Sequence, residues 1–131
     1  MLPVLYLAQQ EFGYLGAEAI GYVAKLMDQA PARVQGVVSF YTMLYTHPIG
    51  RHHIQVCRTL SCALGGASKI TAFIKKQLGI ELGQTTSDGR FTVSEVECLA
   101  SCGTAPMMQI NDAYYENLTE EKVDTILQSL K

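Results

Sequence analysis

All four cysteines of this chain fall between Val56 and Pro106, in two pairs. Cys57 and Cys62 are separated by four residues, Cys98 and Cys102 by three. The pairs read VCRTLSCALGG and VECLASCGTAP, and each begins where an apolar, strand-like run breaks into small and polar residues. Four thiols carried on two loops read as one site. The remainder of the chain reads as the scaffold that brings the loops together.

The chemistry open to those thiols depends on where the chain resides. The N-terminus MLPVLYLAQQ lacks a basic segment and turns polar at Gln9, so it makes a poor signal peptide. Reduced cysteines, available to a metal, are the expectation for a chain that is not exported. A length of 131 residues is enough to bury a core without cross-links. No apolar run approaches the roughly 20 residues of a membrane span. The net charge of −2 and the absence of any basic cluster beyond Lys75-Lys76 argue against a nucleic-acid groove.

The scaffold can be read in order. Pro3 suits a first helical turn, Leu5, Ala8 and Phe12 follow at helical spacing, and Gly13 ends the segment. A second helix is expected from about Ala17 to Asp28, with Ile20, Val23, Ala24 and Met27 on one face. Pro31 opens a third, with Val34, Val37, Val38 and Tyr41 as its apolar stripe. Residues 1–47 therefore read as a helical region of three short helices, whose stripes must pack on the next domain, on a partner, or on both. The break His47-Pro48-Ile49-Gly50 marks the boundary to that second domain, residues 48–131.

In the second domain a strand runs from about His52 to Cys57 and a helix from about Gly66 to Leu78, stopped by Gly79. A polar loop follows, then a strand from Phe91 to Cys98. Met107–Ile110 and Ala113–Glu116 form a hairpin across Asn111-Asp112. A last helix is capped by Thr119 and buries Val123, Ile126, Leu127 and Leu130. The order β-α-β-β-β-α predicts an α/β layer.

Several readings compete for the thiols. A disulfide framework fits poorly with a reducing compartment. Redox-active thiols are disfavoured by the absence of C-x-x-C. A structural zinc module is open, because zinc accepts paired cysteines at these short spacings. A [2Fe–2S] cluster needs two thiolates on each of two irons, which Cys57/Cys62 and Cys98/Cys102 could supply. The loops favour the cluster. Cys62 is placed just before a helix N-terminus, and Gly65-Gly66 permit close backbone approach. Thr59, Ser61, Ser101 and Thr104 can donate to sulfur, and Leu60, Leu64 and Leu99 can exclude water.

VCRTLSC, followed by TTSDGRFTVSEVECLASCGTAPMMQINDAYYENLT, closely resembles the NuoE-type subunit of respiratory complex I (NADH:quinone oxidoreductase). PVLYLAQQEFGYL and ARVQGVVSFYTM resemble the helical region of the same family, so the resemblance spans essentially the whole chain. Related subunits serve bidirectional hydrogenases and NAD-dependent formate dehydrogenases. The resemblance implies a thioredoxin-like ferredoxin domain preceded by a short helical region, with Cys57, Cys62, Cys98 and Cys102 ligating one [2Fe–2S] cluster. It also implies an electron-transfer subunit partnered by a flavoprotein that carries FMN and NADH, inside a larger oxidoreductase complex. Such a chain would be cytoplasmic and peripheral to the inner membrane through the complex. Members of that family often carry a further helical segment ahead of the one that opens here at Leu2.

Other residues carry weaker signals. Consecutive His52 and His53 point to opposite faces of a strand, and with His47 they are expected at the surface or in packing. No G-x-G-x-x-G or P-loop pattern occurs, so nucleotides are expected on another subunit. The run Phe40, Tyr41, Met43, Leu44, Tyr45 is expected as core, with a partner interface as the sharper alternative. Pro106 is expected to follow a trans bond, as most prolines do, with a cis bond shaping the cysteine loop as the minority alternative.

Overall fold

The structure is a computed structural model and describes residues 1–130. The chain divides into two compact units, one of residues Met1–Pro48 and one beginning at Ile49.

The first unit consists of α1 (Leu2–Phe12), α2 (Ala17–Leu26) and α3 (Pro31–Phe40). Prolines in the first turns of α1 and α3 cost no hydrogen bond. Gly13, at φ 80°, ends α1 in a conformation that a side chain would resist. Leu5, Leu15, Ile20, Val23, Ala24, Val34, Val38 and Leu44 form a core within the unit itself. The Gln9 side chain ties α1 to the last loop, donating to Met43 O at 2.8 Å and accepting from Tyr45 N at 2.7 Å. Several expected core residues are not buried. Phe12 is exposed, with its ring edge-on to Tyr22 at 6.5 Å. Tyr41 is exposed because α3 stops at Phe40 and the chain turns extended there, which takes Tyr41 off the helical stripe. Of the aromatic run only Leu44 is buried; Phe40 is among the most exposed apolar side chains described.

The second unit is a four-stranded sheet in the order β2-β1-β3-β4, with β1 (His52–Cys57), β2 (Phe91–Val96), β3 (Met108–Ile110) and β4 (Ala113–Tyr115). β1 runs parallel to β2 and antiparallel to β3, and β3 pairs antiparallel with β4. A parallel neighbour requires a crossover, supplied by α4 (Leu60–Leu64) and α5 (Ala67–Leu78). The short α4 is an addition to the expected order. α6 (Glu120–Ser129) closes the unit, and Thr119 caps it by accepting from Lys122 N at 3.2 Å.

β1 is the central strand and is buried from His53 to Cys57. Ile54 and Val56 join Phe91, Val93, Ile70, Ile74, Val123 and Leu127 in one core. His53 and Gln55 alternate onto the opposite face and are also buried. His53 pairs there with the Ser94 hydroxyl through Nε2 at 2.8 Å, which is a packing role. His52 lies against the Phe91 ring, with ring centroids 5.4 Å apart.

This topology positions the cysteines. The parallel pair β1 and β2 ends in register at Cys57 and Val96. The loops leaving both strands therefore emerge at one edge of the sheet. β2 ends at Val96, short of the expected Cys98, so that cysteine lies in the loop. The Ala105–Pro106 bond is cis, against the expected trans geometry.

Candidate metal centre

Cys57 closes β1 with its N–H bonded to Met107 O at 3.2 Å, and its side chain is 2% exposed. Two residues on, Thr59 precedes α4 in extended conformation. Its hydroxyl makes no helix-capping bond and instead meets Cys57 Sγ at 3.3 Å. One helical turn then carries Cys62, also 2% exposed, so this cysteine sits within a short helix and not directly before α5. At Gly65 a Cβ would come within 3.1 Å of Pro106 N and 3.2 Å of Ser61 O. The two cysteine loops approach each other there at backbone distance.

The second loop is built differently. Cys98 and Cys102 are exposed, with sulfurs 3.7 Å apart. Ala100 between them adopts φ 58°, the left-handed region, and its N–H donates to Cys98 Sγ at 3.3 Å. One 3-10 turn, Cys102–Thr104, follows. Outside the sulfurs, Arg58 and Glu97 join the residues next to Cys57 and Cys98 at 2.6 Å; both ends are exposed, so the ion pair adds little stability.

All four cysteines are free thiols and their environments interlock. Burial pushes the Cys57 thiol up, but the Thr59 hydroxyl, backbone hydrogen bonds at Leu99 and Thr59, and the Cys62 thiol outweigh it, leaving it below the ordinary range. Burial and the hydrogen bond with Cys57 raise Cys62, against a backbone bond at Met107. In the second loop the Ala100 N–H, the Cys102 thiol and the Thr59 hydroxyl lower Cys98. Cys102 is raised by its hydrogen bond and charge interaction with Cys98, against the Ser61 hydroxyl. Thus Leu99 of the second loop reaches a sulfur of the first, while Thr59 and Ser61 of the first reach sulfurs of the second.

Among the described residues no three His, Cys, Asp or Glu side chains close on one point as a single ion would need. Two pairs of thiols, one buried and one exposed, suit two metal atoms with two protein donors each, the donor set of a [2Fe–2S] cluster. Backbone N–H groups and hydroxyls turned toward the sulfurs suit its negative charge.

Some expected roles fall elsewhere. Thr59 and Ser61 act on sulfur, but Ser101 and Thr104 turn to the Glu116 carboxylate, which accepts from both hydroxyls. Leu99 is half-buried, whereas Leu60 and Leu64 are 75% and 82% exposed and shield nothing within this chain. Glu116 and Tyr114, whose hydroxyl donates to Leu99 O at 2.8 Å, were not legible as site residues. They meet the loop across 12 to 15 residues of sequence, with no local motif to announce it.

The family described as thioredoxin-like [2Fe-2S] ferredoxin matches residues 1–131. The chain is 47% identical to the E subunit of the NADH-quinone oxidoreductase of Rickettsia felis, over 97% of this chain and 77% of the relative. It is 42% identical to NADH-quinone oxidoreductase subunit 2 of Thermus thermophilus, over 100% of this chain and 73% of the relative. Its fold is similar to part of an NAD+-reducing [NiFe]-hydrogenase, with a TM-score of 0.80 at 21% identity. That match covers 96% of this chain and only 22% of the hydrogenase chain. The thioredoxin-like [2Fe-2S] ferredoxin of Aquifex aeolicus matches 61% of this chain and 79% of its own length, with a TM-score of 0.50 at 16% identity. On the full-length family match and the high identity to these subunits, the chain belongs to the thioredoxin-like [2Fe-2S] ferredoxin family.

Proposed function

We propose that this chain is the electron-transfer subunit of the NADH-oxidising module of an NADH:quinone oxidoreductase, with one [2Fe–2S] cluster held by Cys57, Cys62, Cys98 and Cys102. The observation that carries this reading is the meeting of two cysteine loops at one sheet edge, in a chain 47% identical over nearly its whole length to the Rickettsia felis oxidoreductase subunit. When bound, the cluster supplies one-electron redox chemistry.

The residues of the chain do the rest. Each thiol gives up its proton to become a ligand, and Cys57 and Cys98 are the two already biased toward thiolate. The Ala100 N–H and the Thr59 hydroxyl hold hydrogen bonds on sulfur, which stabilises negative charge there. Burial of Cys57 and Cys62 keeps water from one side of the site, while exposure of Cys98 and Cys102 leaves the other side open to an electron partner.

The sequence carries no dinucleotide fingerprint, so NADH oxidation falls to a flavoprotein partner bearing FMN. The chain itself is an electron carrier and performs no hydride transfer. No helix among the described residues is long and apolar enough to cross a membrane. The equivalent subunit of an NAD-linked hydrogenase is the second reading. It is favoured by the hydrogenase fold match, but that match is at 21% identity against 47% for the quinone-reducing relative.

Mixing the reconstituted chain with NADH tests the division of labour. The expected result is no reduction by NADH alone, and reduction within the mixing time once an FMN-loaded flavoprotein subunit of NADH-quinone oxidoreductase is added. Reduction by NADH without any flavoprotein would overturn the partner assignment.

A further inference from the structure

The loop carrying the two exposed thiols has little structure of its own. Between Val96 and Pro106 it contains one 3-10 turn, and Ala100 sits at φ 58°, a left-handed conformation that the alanine Cβ opposes. Something outside the loop must hold it. β4 and the segment after it do so with a series of bonds. Tyr114 Oη donates to Leu99 O, Asn117 N to Thr104 O at 2.7 Å, and Leu118 N to Pro106 O at 2.9 Å. At the centre lies Glu116. Its carboxylate accepts from the Ser101 hydroxyl and, at 2.8 Å, from Thr104 Oγ1. Those two residues flank Cys102 on either side, so one carboxylate brackets one thiol. Lys122 Nζ donates to the Glu116 carbonyl at 2.5 Å and fixes the backbone beneath it.

We propose that Glu116 is a positioning residue of the metal centre: its carboxylate clamps the Cys98–Cys102 loop through Ser101 and Thr104, and its charge lowers the reduction potential of the cluster. The inference rests on the cluster reading given above. Hydrogen bonds to an ionised acceptor are about twice as strong as neutral ones, so the charge strengthens the clamp, which a neutral carbonyl acceptor would still hold more weakly. The Ser101 and Thr104 hydroxyls hold its pKa below the usual carboxylate range, with Lys122 adding to the effect. A fixed negative charge beside a group that gains an electron opposes that gain.

The two roles separate in two variants. Glu116→Gln keeps a carbonyl acceptor for the hydroxyls and removes the charge. It should retain the cluster and show a midpoint potential more positive than the parent in an EPR-monitored redox titration. Glu116→Ala removes both, and should lose visible absorbance to an iron chelator about tenfold faster than the parent. Circular dichroism of each apoprotein checks that the fold is intact. Parent-like potential in Glu116→Gln together with parent-like chelation in Glu116→Ala would overturn the proposal while leaving the cluster reading in place. A parent chain that takes up no iron and sulfide would overturn the cluster reading, and this proposal with it.

Discussion

Alanine in place of Cys57 or Cys62 is expected to leave more than about tenfold less iron and acid-labile sulfide on the reconstituted chain, with no recovery when a small thiol is added. Alanine at Cys98 or Cys102 is expected to show a comparable loss that a small thiol partly reverses. The distinction follows from burial. Cys57 and Cys62 are each 2% exposed within the core that contains Ile54, Val56 and Met107, so a substitute ligand has no path to the vacated position. Cys98 and Cys102 are exposed, and an external sulfur can take their place. Loss of folding does not account for the effect. A buried cysteine packs as a small hydrophobe, and its truncation costs about 1 kcal/mol. Iron and sulfide per chain, with and without thiol, give the readout. Full retention in any of the four variants would remove that residue from the ligand set. Thiol rescue at Cys57 would contradict the buried and exposed assignment of the two pairs.

Gly50→Ala is expected to be the most damaging single methyl addition at a glycine of the second unit. An added Cβ would lie 2.8 Å from both the Arg90 carbonyl carbon and Phe91 N, and 2.9 Å from Arg90 O. These are backbone atoms at the entry to β2, and no side-chain rotation relieves them. The same place is pinned by Gly50 N to Thr92 Oγ1 at 2.6 Å and by His52 N to Arg90 O at 2.7 Å. Relief therefore shifts the β1–β2 pairing that aligns both cysteine loops. Overpacking of this kind costs about 2 kcal/mol, or roughly 10 °C in a domain of this size. Gly21→Ala in α2 is the control. Nothing lies within 4 Å of its added Cβ, and the change should be neutral or stabilising. Thermal unfolding of the two apoproteins checks the pair, and equal midpoints would contradict the close approach at Gly50.

Much of the scaffold was legible because it is local. Pro31, Gly79 and Thr119 mark helix ends through backbone chemistry that acts within a turn, and the structure places α3, α5 and α6 accordingly. The cysteine pairing suggested that the two loops form one site, and the structure supplies the reason: β1 and β2 are parallel neighbours and end together. What was not legible depends on contacts distant in sequence. The single turn of α4 has no amphipathic period to detect. Ser101 and Thr104 offered hydroxyls beside a thiol, and only the fold shows that Glu116 takes them instead. Leu60 and Leu64 looked like shielding by composition, yet the one-turn helix turns both outward. Tyr41 failed as a core residue because α3 ends one position before it.

The most direct test of the cluster assignment is iron and acid-labile sulfide content together with EPR of the chain made under iron- and sulfide-replete conditions. Four ligating thiols predict a red-brown protein with two irons and two sulfides per chain, as a [2Fe–2S] cluster requires, and a rhombic EPR signal that appears on reduction. A colourless chain holding one tightly bound zinc would contradict it.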